Sequence, residues 1–345
     1  MKGRLIALDH VNGVETAALM VDGKLQDLLV SDARVLALGT IIRARVDRPL
    51  KGQGGVMVTW PARGDAPAGT GFLRRAKGLA TGEDVLVQIS GYAEAGKAQP
   101  VTDRVLFKSR HAIVTPGAPG INVSRSIKDD DRRDALKLLV LESVDEIPHG
   151  LILRSSAAQA QDDDISADIL DTLALAEDVL SMDGQGVLMP GDSAHRLAWR
   201  EWTDPAQVDT APGSFEDHGI LDALEDLDSP LVDLGAGHHM AVEPTRALVA
   251  VDVNTGRDTS PAAALKANLA ALADLPRQLR LRGLGGQITV DLAPVLKRDR
   301  RQIETAARAA CRACAVETEV IGWTPLGHLE LKRKRERRPL SEVLG

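Results

Sequence analysis

Cysteine is nearly absent from this chain. Cys311 and Cys314 are the only two in 345 residues, so neither a disulfide framework nor a four-ligand metal site can be built from cysteine. Three apart on an expected helix, both read as packing residues. Aromatic side chains make up 2% of the chain, which leaves few rings for stacking on flat ligands. No apolar run is long enough to cross a bilayer and no secretory h-region follows the amino terminus, so a soluble, cytoplasmic protein is expected. An excess of basic charge is missing too. The net charge of −7 excludes a simple coat protein for nucleic acid.

The charge is unevenly spread. Acidic residues gather in 162–183 and 216–233, basic ones in 277–282, 297–312 and 332–338, so the carboxyl half carries the positive surface that phosphate recognition needs. With 44% hydrophobic residues, the chain can bury more than one core, and several subdomains are expected.

What stands out is the stretch from Ala247 to Leu292. One apolar run carries Asp252 in Val-Ala-Val-Asp-Val-Asn-Thr-Gly-Arg, and a second ends in Asp291 in Gln-Ile-Thr-Val-Asp-Leu. Both are rich in Val, Ile and Leu, as expected of parallel strands buried on both faces. Between them a helix is delimited by Thr259 or Ser260 as N-cap, Pro261 in the first turn and Gly283 as a left-handed stop. Pro276 inside that helix is expected to kink or end it near Leu275. As neighbours in a β-α-β unit, the strands would lie about 4.8 Å apart. Two carboxylates about 4 Å apart repel by roughly 4 kcal/mol at an effective dielectric of 20, so the pair shares a proton or holds a cation. All-oxygen ligands favour magnesium or manganese. Asn254 shares the face of Asp252 and can orient a carboxylate or a water. A single such aspartate is more often a helix cap than a ligand; two flanking one helix are harder to dismiss. Arg277 and Arg280, three apart at the helix end, read either as a basic surface for a phosphate polyanion or as cations favoured by the helix dipole.

These residues also carry a resemblance. Val-Asp-Val-Asn-Thr-Gly-Arg, Asn268-Leu269, Arg-Gln-Leu-Arg-Leu-Arg-Gly-Leu-Gly-Gly and Val-Asp resemble the catalytic core of the bacterial ribonuclease E/G family. Trp323-Thr324-Pro325-Leu326-Gly327 and Glu330-Leu331-Lys332-Arg333-Lys334-Arg335 are similar to the segment that closes that core, which makes 332–338 an ordered edge. The strand-like opening with Val21-Asp22-Gly23 at a turn agrees. The resemblance implies a magnesium-dependent endoribonuclease, manganese being the substitute, that hydrolyses single-stranded RNA in RNA processing and decay. Asp252 and Asp291 would hold the metal, Asn254 would orient the site, and the products would carry 5′-phosphate and 3′-hydroxyl ends. Arg277 and Arg280 would contact RNA.

Residues 39–107 read as five short strands broken by glycine and proline, a small barrel similar to the family's oligonucleotide-binding (OB-type) one. Phe72 keeps one base-stacking position, Met57 stands where the family usually has another aromatic, and Lys97 aligns with a lysine near the scissile strand. Arg154 and Ser155 match the arginine and hydroxyl of the family's 5′-monophosphate pocket, with Ser155 in place of threonine and Ala157 in place of glycine. His238 and His239 read as loop residues without a metal or acid-base role.

The implied fold class is α/β with an inserted β-barrel. Its parts are a ribonuclease-H-like first part at 1–38, the barrel at 39–108, the 5′-phosphate-sensing segment at 109–160, a second ribonuclease-H-like part with connecting helices at 161–240, and a DNase-I-like catalytic α/β subdomain at 241–345. Region 162–244 is the least legible, with helices expected at 165–182 and 216–226. Two departures matter for the site. Leu292-Ala293-Pro294 follows Asp291 where the family has a further acidic residue, and no Cys-Pro-x-Cys zinc link follows the core, so neither zinc nor a zinc-link dimer is expected and the oligomeric state is left open. The alternative function is an RNA-binding protein of the same fold that does not cut. A nucleotide enzyme using Gly283-Leu284-Gly285-Gly286 or Gly52-Gln53-Gly54-Gly55 ranks low, since neither matches a P-loop.

Overall fold

The structure is a computed structural model describing residues 3–50, 52, 54–74, 78–94, 96–144 and 148–345. Gln53 of the glycine-rich loop noted above lies outside the described residues. The chain divides into one unit formed by Met1–Ser31 with Ala206–Gly345 and a second formed by Asp32–Pro205.

In the second unit, period-2 alternation builds the barrel. Strands Ile41–Leu50, Gly55–Trp60, Gly69–Arg74, Gln99–Thr102 and Asp84–Ile89 pair in that order, and the last closes on the first. Ile42, Ala44 and Val46 point inward with Val56, Val58, Leu73, Val87 and Val101, while Ile41 serves the neighbouring core. The mixed α/β architecture with a closed five-stranded barrel is consistent with the OB type. Glycine is required where Trp60 packs flat across the next strand: a Cβ on Gly69 would sit 2.5 Å from the Trp60 ring. Strand Gly186–Met189 extends the sheet beside Ile41–Leu50, a pairing with no local sequence signal.

Beside the barrel in sequence, Gly120–Val123 and Gly150–Leu153 run parallel, joined by helix Asp130–Ser143, whose N-cap Asp129 accepts from the Arg132 amide at 3.1 Å. Ala112–Thr115 and Phe107–Lys108 complete this sheet. Helix Asp162–Ser181 lays Ile165, Ile169, Leu173 and Ala176 into the shared core with Phe107, Leu136, Leu151 and Leu153.

The first unit opens with three antiparallel strands, Arg4–Val11, Val14–Val21 and Lys24–Val30. Their hairpins turn at Asn12-Gly13 and Asp22-Gly23, where both residues of each pair have positive φ, as type I′ turns demand. Gln207–Asp209 joins Arg4–Val11 in parallel. A six-stranded sheet follows in the order Leu231–Gly235, His238–Pro244, Val249–Asn254, Gly286–Asp291, Leu329–Arg333, Thr318–Trp323. Only the central pair, Val249–Asn254 with Gly286–Asp291, is parallel. These two strands alternate in burial instead of being covered on both faces, which corrects the sequence expectation. Val249, Val251, Val253, Ile288 and Val290 pack under helices Pro261–Leu281 and Arg300–Ala313, and the intervening residues face the other way.

Helix Pro261–Leu281 begins where the sequence indicates, with Ser260 Oγ accepting from the Ala263 amide at 3.2 Å, and stops at Gly283 with φ +66°. Pro276 does not end it: the helix runs on to Leu281, held by packing of Leu275, Pro276 and Leu279 in the core. Tertiary burial outweighs the local cost of one missing hydrogen bond. The two histidines noted above fall in strand His238–Pro244, not in a loop, and His238 is buried against the Thr255 carbonyl.

Candidate active site

Strand pairing delivers the two carboxylates together. Asp252 and Asp291 are directly opposite each other in the register of the parallel pair, on the sheet face away from the helices. Both are exposed, so water reaches them. Asn254 Nδ2 donates to Asp252 Oδ2 at 2.6 Å, as its position two residues along the strand suggested.

Asp291 has a neighbour that sequence reading missed. His328 Nδ1 lies 3.2 Å from Asp291 Oδ1. Leu329 pairs with Val290, so the turn before Leu329–Arg333 falls beside the end of the Asp291 strand, and His328 is its last residue. The Thr324 amide donates to the His328 carbonyl at 2.9 Å and the His328 amide to Thr324 Oγ1 at 3.1 Å, which fixes the turn. Only the position of the Trp323–Gly327 motif, immediately before His328, hinted at this. The chain beyond Asp291 is held as well: buried Asn268 donates from Nδ2 to the Ala293 carbonyl and accepts at Oδ1 from the Ala293 amide, both at 2.9 Å.

The donor set decides which ion would fit. Two in-register carboxylates on an open face match magnesium, which takes one or two carboxylates and keeps several waters. Among the described residues no group of three or more His, Cys, Asp or Glu is placed to hold a metal. Each of the two carboxylates has one hydrogen-bonding neighbour, Asn254 for Asp252 and His328 for Asp291.

Arg277 and Arg280 are both engaged by partners within the fold. Arg277 forks onto Asp274 at 2.6 and 2.9 Å and donates to the Leu25 carbonyl at 2.7 Å. Arg280 is 8% exposed, donates to the Gln26 carbonyl at 2.6 Å and lies 3.2 Å from Asp27. Their spacing puts both on one face as expected, but that face is tied to strand Lys24–Val30. Burial alone would raise the Asp274 carboxyl, yet Arg277, Gln278 and Lys24 bring it down to about 2. A cavity of about 470 Å³ lined by Lys24, Arg277, Gln278 and Arg282 opens at this end of the helix, and neither Asp252 nor Asp291 lines it.

The remaining site candidates lie in the second unit. The Phe72 ring packs across Gly55 and stands opposite Met57 in the barrel register, half-buried. Lys97 is exposed and pairs with Glu94. Arg154 is already engaged: Nη1 donates to the Ser109 carbonyl at 2.6 Å and the Arg200 carbonyl at 3.3 Å, and Nη2 to Glu201 Oε2 at 2.5 Å. Burial would raise the Glu201 carboxyl, but Arg154 and Arg200 hold it below the usual carboxylate range. Ser155 is exposed at the start of a short 3₁₀ turn, and Arg110 stacks on Trp199 at 4.0 Å. Glu201 and Trp199 belong to helix Ala194–Glu201, in the region whose sequence was least legible.

Comparison with known proteins falls on these same segments. The chain is 28% identical over 311 residues to a protein named ribonuclease E from Nostoc sp., covering 77% of this chain and 45% of that one. It is 27% identical to ribonuclease G of Salmonella typhimurium over a 403-residue alignment, covering 98% of this chain and 81% of the relative. To ribonuclease G of Escherichia coli K12 it is 27% identical over 307 residues, 76% of this chain and 62% of the relative. Against the Nostoc and E. coli proteins it therefore spans less than two thirds of the relative's length. A sequence model of the ribonuclease E/G family matches residues 107–187 and 200–336, a range that holds Arg154, Ser155, Asp252, Asn254 and Asp291 and leaves out the barrel strands. With more than half of the residues matched, the in-register carboxylate pair among them, the chain belongs to the ribonuclease E/G family.

Proposed function

We propose that the protein is an endoribonuclease that hydrolyses phosphodiester bonds in single-stranded RNA, with magnesium, or manganese in its place, held by Asp252 and Asp291. The observation that carries this reading is the direct pairing of the two carboxylates across adjacent parallel strands. Relatives named ribonuclease E and ribonuclease G support the reaction class. Bound there, the cation offsets negative charge developing on the phosphoryl oxygens. Asn254 holds the Asp252 carboxylate in one orientation, and His328 does the same for Asp291. Cleavage leaves 5′-phosphate and 3′-hydroxyl ends, and the setting is RNA processing, ribosomal RNA included, in the cytoplasm.

Phe72 gives the barrel one stacking platform, worth roughly 1 to 3 kcal/mol per base, and Met57 opposite it makes the grip weaker than a pair of rings would. Lys97 adds a phosphate contact. Arg154 and Ser155 form the 5′-monophosphate pocket, and a phosphate entering it displaces Glu201 from Arg154. In architecture, the sheet containing Arg4–Val30 is the ribonuclease-H-like part and the six-stranded sheet the DNase-I-like part. Arg280, buried against Asp27, serves the fold, and Arg277, which lines the cavity beside Lys24 and Arg282, is the arginine of the two placed to meet a phosphate.

The test is cleavage of single-stranded RNA with magnesium or EDTA by the wild type and by Asp252→Asn and Asp291→Asn. Internal cleavage that needs the metal and falls at least a thousandfold in both variants, about 4 kcal/mol of lost transition-state stabilisation, supports the proposal. Wild-type protein that binds several RNAs and cuts none replaces it with the non-catalytic reading, which Met57 and Ala293-Pro294 would favour.

A further inference from the structure

Helix Arg300–Ala313 ends at Cys314, and the sulfur there is surrounded by donors. Arg280 Nη1 lies 3.1 Å from Sγ, and Nη1 and Nη2 of Arg333 each lie 3.6 Å away. The Val316 amide also donates to it. Arg333 is 3% exposed, and its other contacts are neutral oxygens, Thr318 Oγ1 at 2.8 Å and the Pro276 carbonyl at 3.5 Å. Arg280 shares its single carboxylate, Asp27, with Arg337, which donates to Asp27 Oδ1 at 2.5 Å and Oδ2 at 3.2 Å. Asp27 is thus shared by two guanidinium groups, and the neighbours of Arg333 named above, among the described residues, include no carboxylate.

A guanidinium does not give up its proton inside a protein, and a buried charge needs an opposite one. Among the described residues, the titratable partner that Arg333 touches is Cys314. A neutral thiol would donate to the Pro276 carbonyl at 3.8 Å, an oxygen that also accepts from Arg333, but it would meet the two arginines only as a weak acceptor, whereas a thiolate would meet them as an anion. We propose that Cys314 is held as a thiolate, the counter-anion of the buried Arg280–Arg333 pair, and that it is the nucleophilic site at which this chain takes up soft electrophiles such as haloacetamides.

Burial by itself would raise the Cys314 thiol, but Arg333, the Val316 amide and Arg280 outweigh it and bring it below the ordinary value. Cys311, one turn back on the same helix, is pushed the other way, by burial first and then by Cys314 itself, with Arg333 and Arg308 acting against the rise. The two cysteines, three residues apart, thus shift in opposite directions, and it is the sulfur of Cys314 that Arg280 and Arg333 touch. In the alkylation, the sulfur lone pair of Cys314 displaces iodide from iodoacetamide; a carbon–sulfur bond forms, the carbon–iodine bond breaks, and no proton has to leave.

The test uses the full chain carrying Cys311→Ser, so that one thiol remains. Thiolate absorbance near 240 nm is followed from pH 5.5 to 9.5, and carbamidomethylation of Cys314 by iodoacetamide is timed by mass spectrometry. The proposal expects an absorbance midpoint at least about one unit below the roughly 8.5 of a free cysteine, with Cys314→Ser abolishing the step. It also expects alkylation at pH 6.5 about tenfold faster than that of a cysteine peptide, since only about 1% of a free thiol is ionised there. A midpoint at or above 8.5 overturns it. A low midpoint without alkylation overturns the nucleophile and leaves the counter-anion. Arg333→Gln should raise the midpoint; if that variant does not fold, the two cysteine variants decide alone.

Discussion

Each carboxylate of the candidate site has a different kind of support. Asp252 is steadied from its own strand by Asn254, Asp291 from another strand's turn by His328. Leu292-Ala293-Pro294 follows Asp291, and His328 supplies that carboxylate with a hydrogen-bonding neighbour from another segment. Groups that orient metal ligands typically contribute 10- to 100-fold to metal affinity or activity. Asn254→Ala and His328→Ala are therefore each expected to lower kcat/KM by roughly that factor and to raise the magnesium concentration at half-maximal rate. An unchanged magnesium titration in His328→Ala would remove it from the site. Asp274 works on stability instead. Its carboxyl is lowered from 3.8 to about 2 in the folded chain, so the stability it contributes is fully present above pH 4 and is lost as the pH falls toward 2. Asp274→Asn should cost about 1 to 2 kcal/mol at pH 6, allowing for solvent screening. Urea unfolding at pH 6 and pH 2.5 should show that difference shrinking in acid.

At the scale of elements, the helix Pro261–Leu281 carries the argument, because it spans the turn that follows Asp252 and the loop that precedes the Asp291 strand. Its ends are chemically marked. Ser260 caps the first turn, and Gly283 closes the last with a left-handed backbone next to the Arg338 carbonyl. A Cβ on Gly283 would lie 1.8 Å from that oxygen as well as requiring positive φ. Gly283→Ala is expected to destabilise the protein by about 2 kcal/mol or more, measured by chemical denaturation, since strained φ and overpacking each cost about 1 to 3 kcal/mol. These marks are local, so they are legible in the sequence. Pro276 is not decided locally: its residue type says break, and its burial beside Leu275 and Leu279 keeps the helix whole. Arg277 and Arg280 follow the same logic. Spacing put them on one face, and only the strand Lys24–Val30, more than 240 residues away in sequence by subtraction of positions, decides that this face is inside.

At the scale of the whole molecule, substrate grip and chemistry are assigned to different units, Phe72 and Arg154 to one and Asp252 and Asp291 to the other. Mutations should therefore separate them kinetically. Phe72→Ala is expected to raise KM for single-stranded RNA by about 5- to 150-fold, the equivalent of 1 to 3 kcal/mol, with little change in kcat. Equal loss in kcat would place Phe72 in the chemistry instead. In the proposed function this aromatic contact matters more because the net charge of −7 gives the chain as a whole no net attraction for RNA.

The sequence by itself determined the barrel strands, the β-α-β unit with its caps, the turn at Asp22-Gly23 and the two carboxylates, since alternation, turn chemistry and capping act over a few residues. Tertiary structure alone decided the mostly antiparallel sheet around the central pair, the joining of Gln207–Asp209 to Arg4–Val11, the closure of Glu201 on Arg154 and the placing of His328 beside Asp291. Those partners are brought together by packing of distant segments, and the free energy that selects them belongs to the assembled core and not to any stretch of chain that could be read alone.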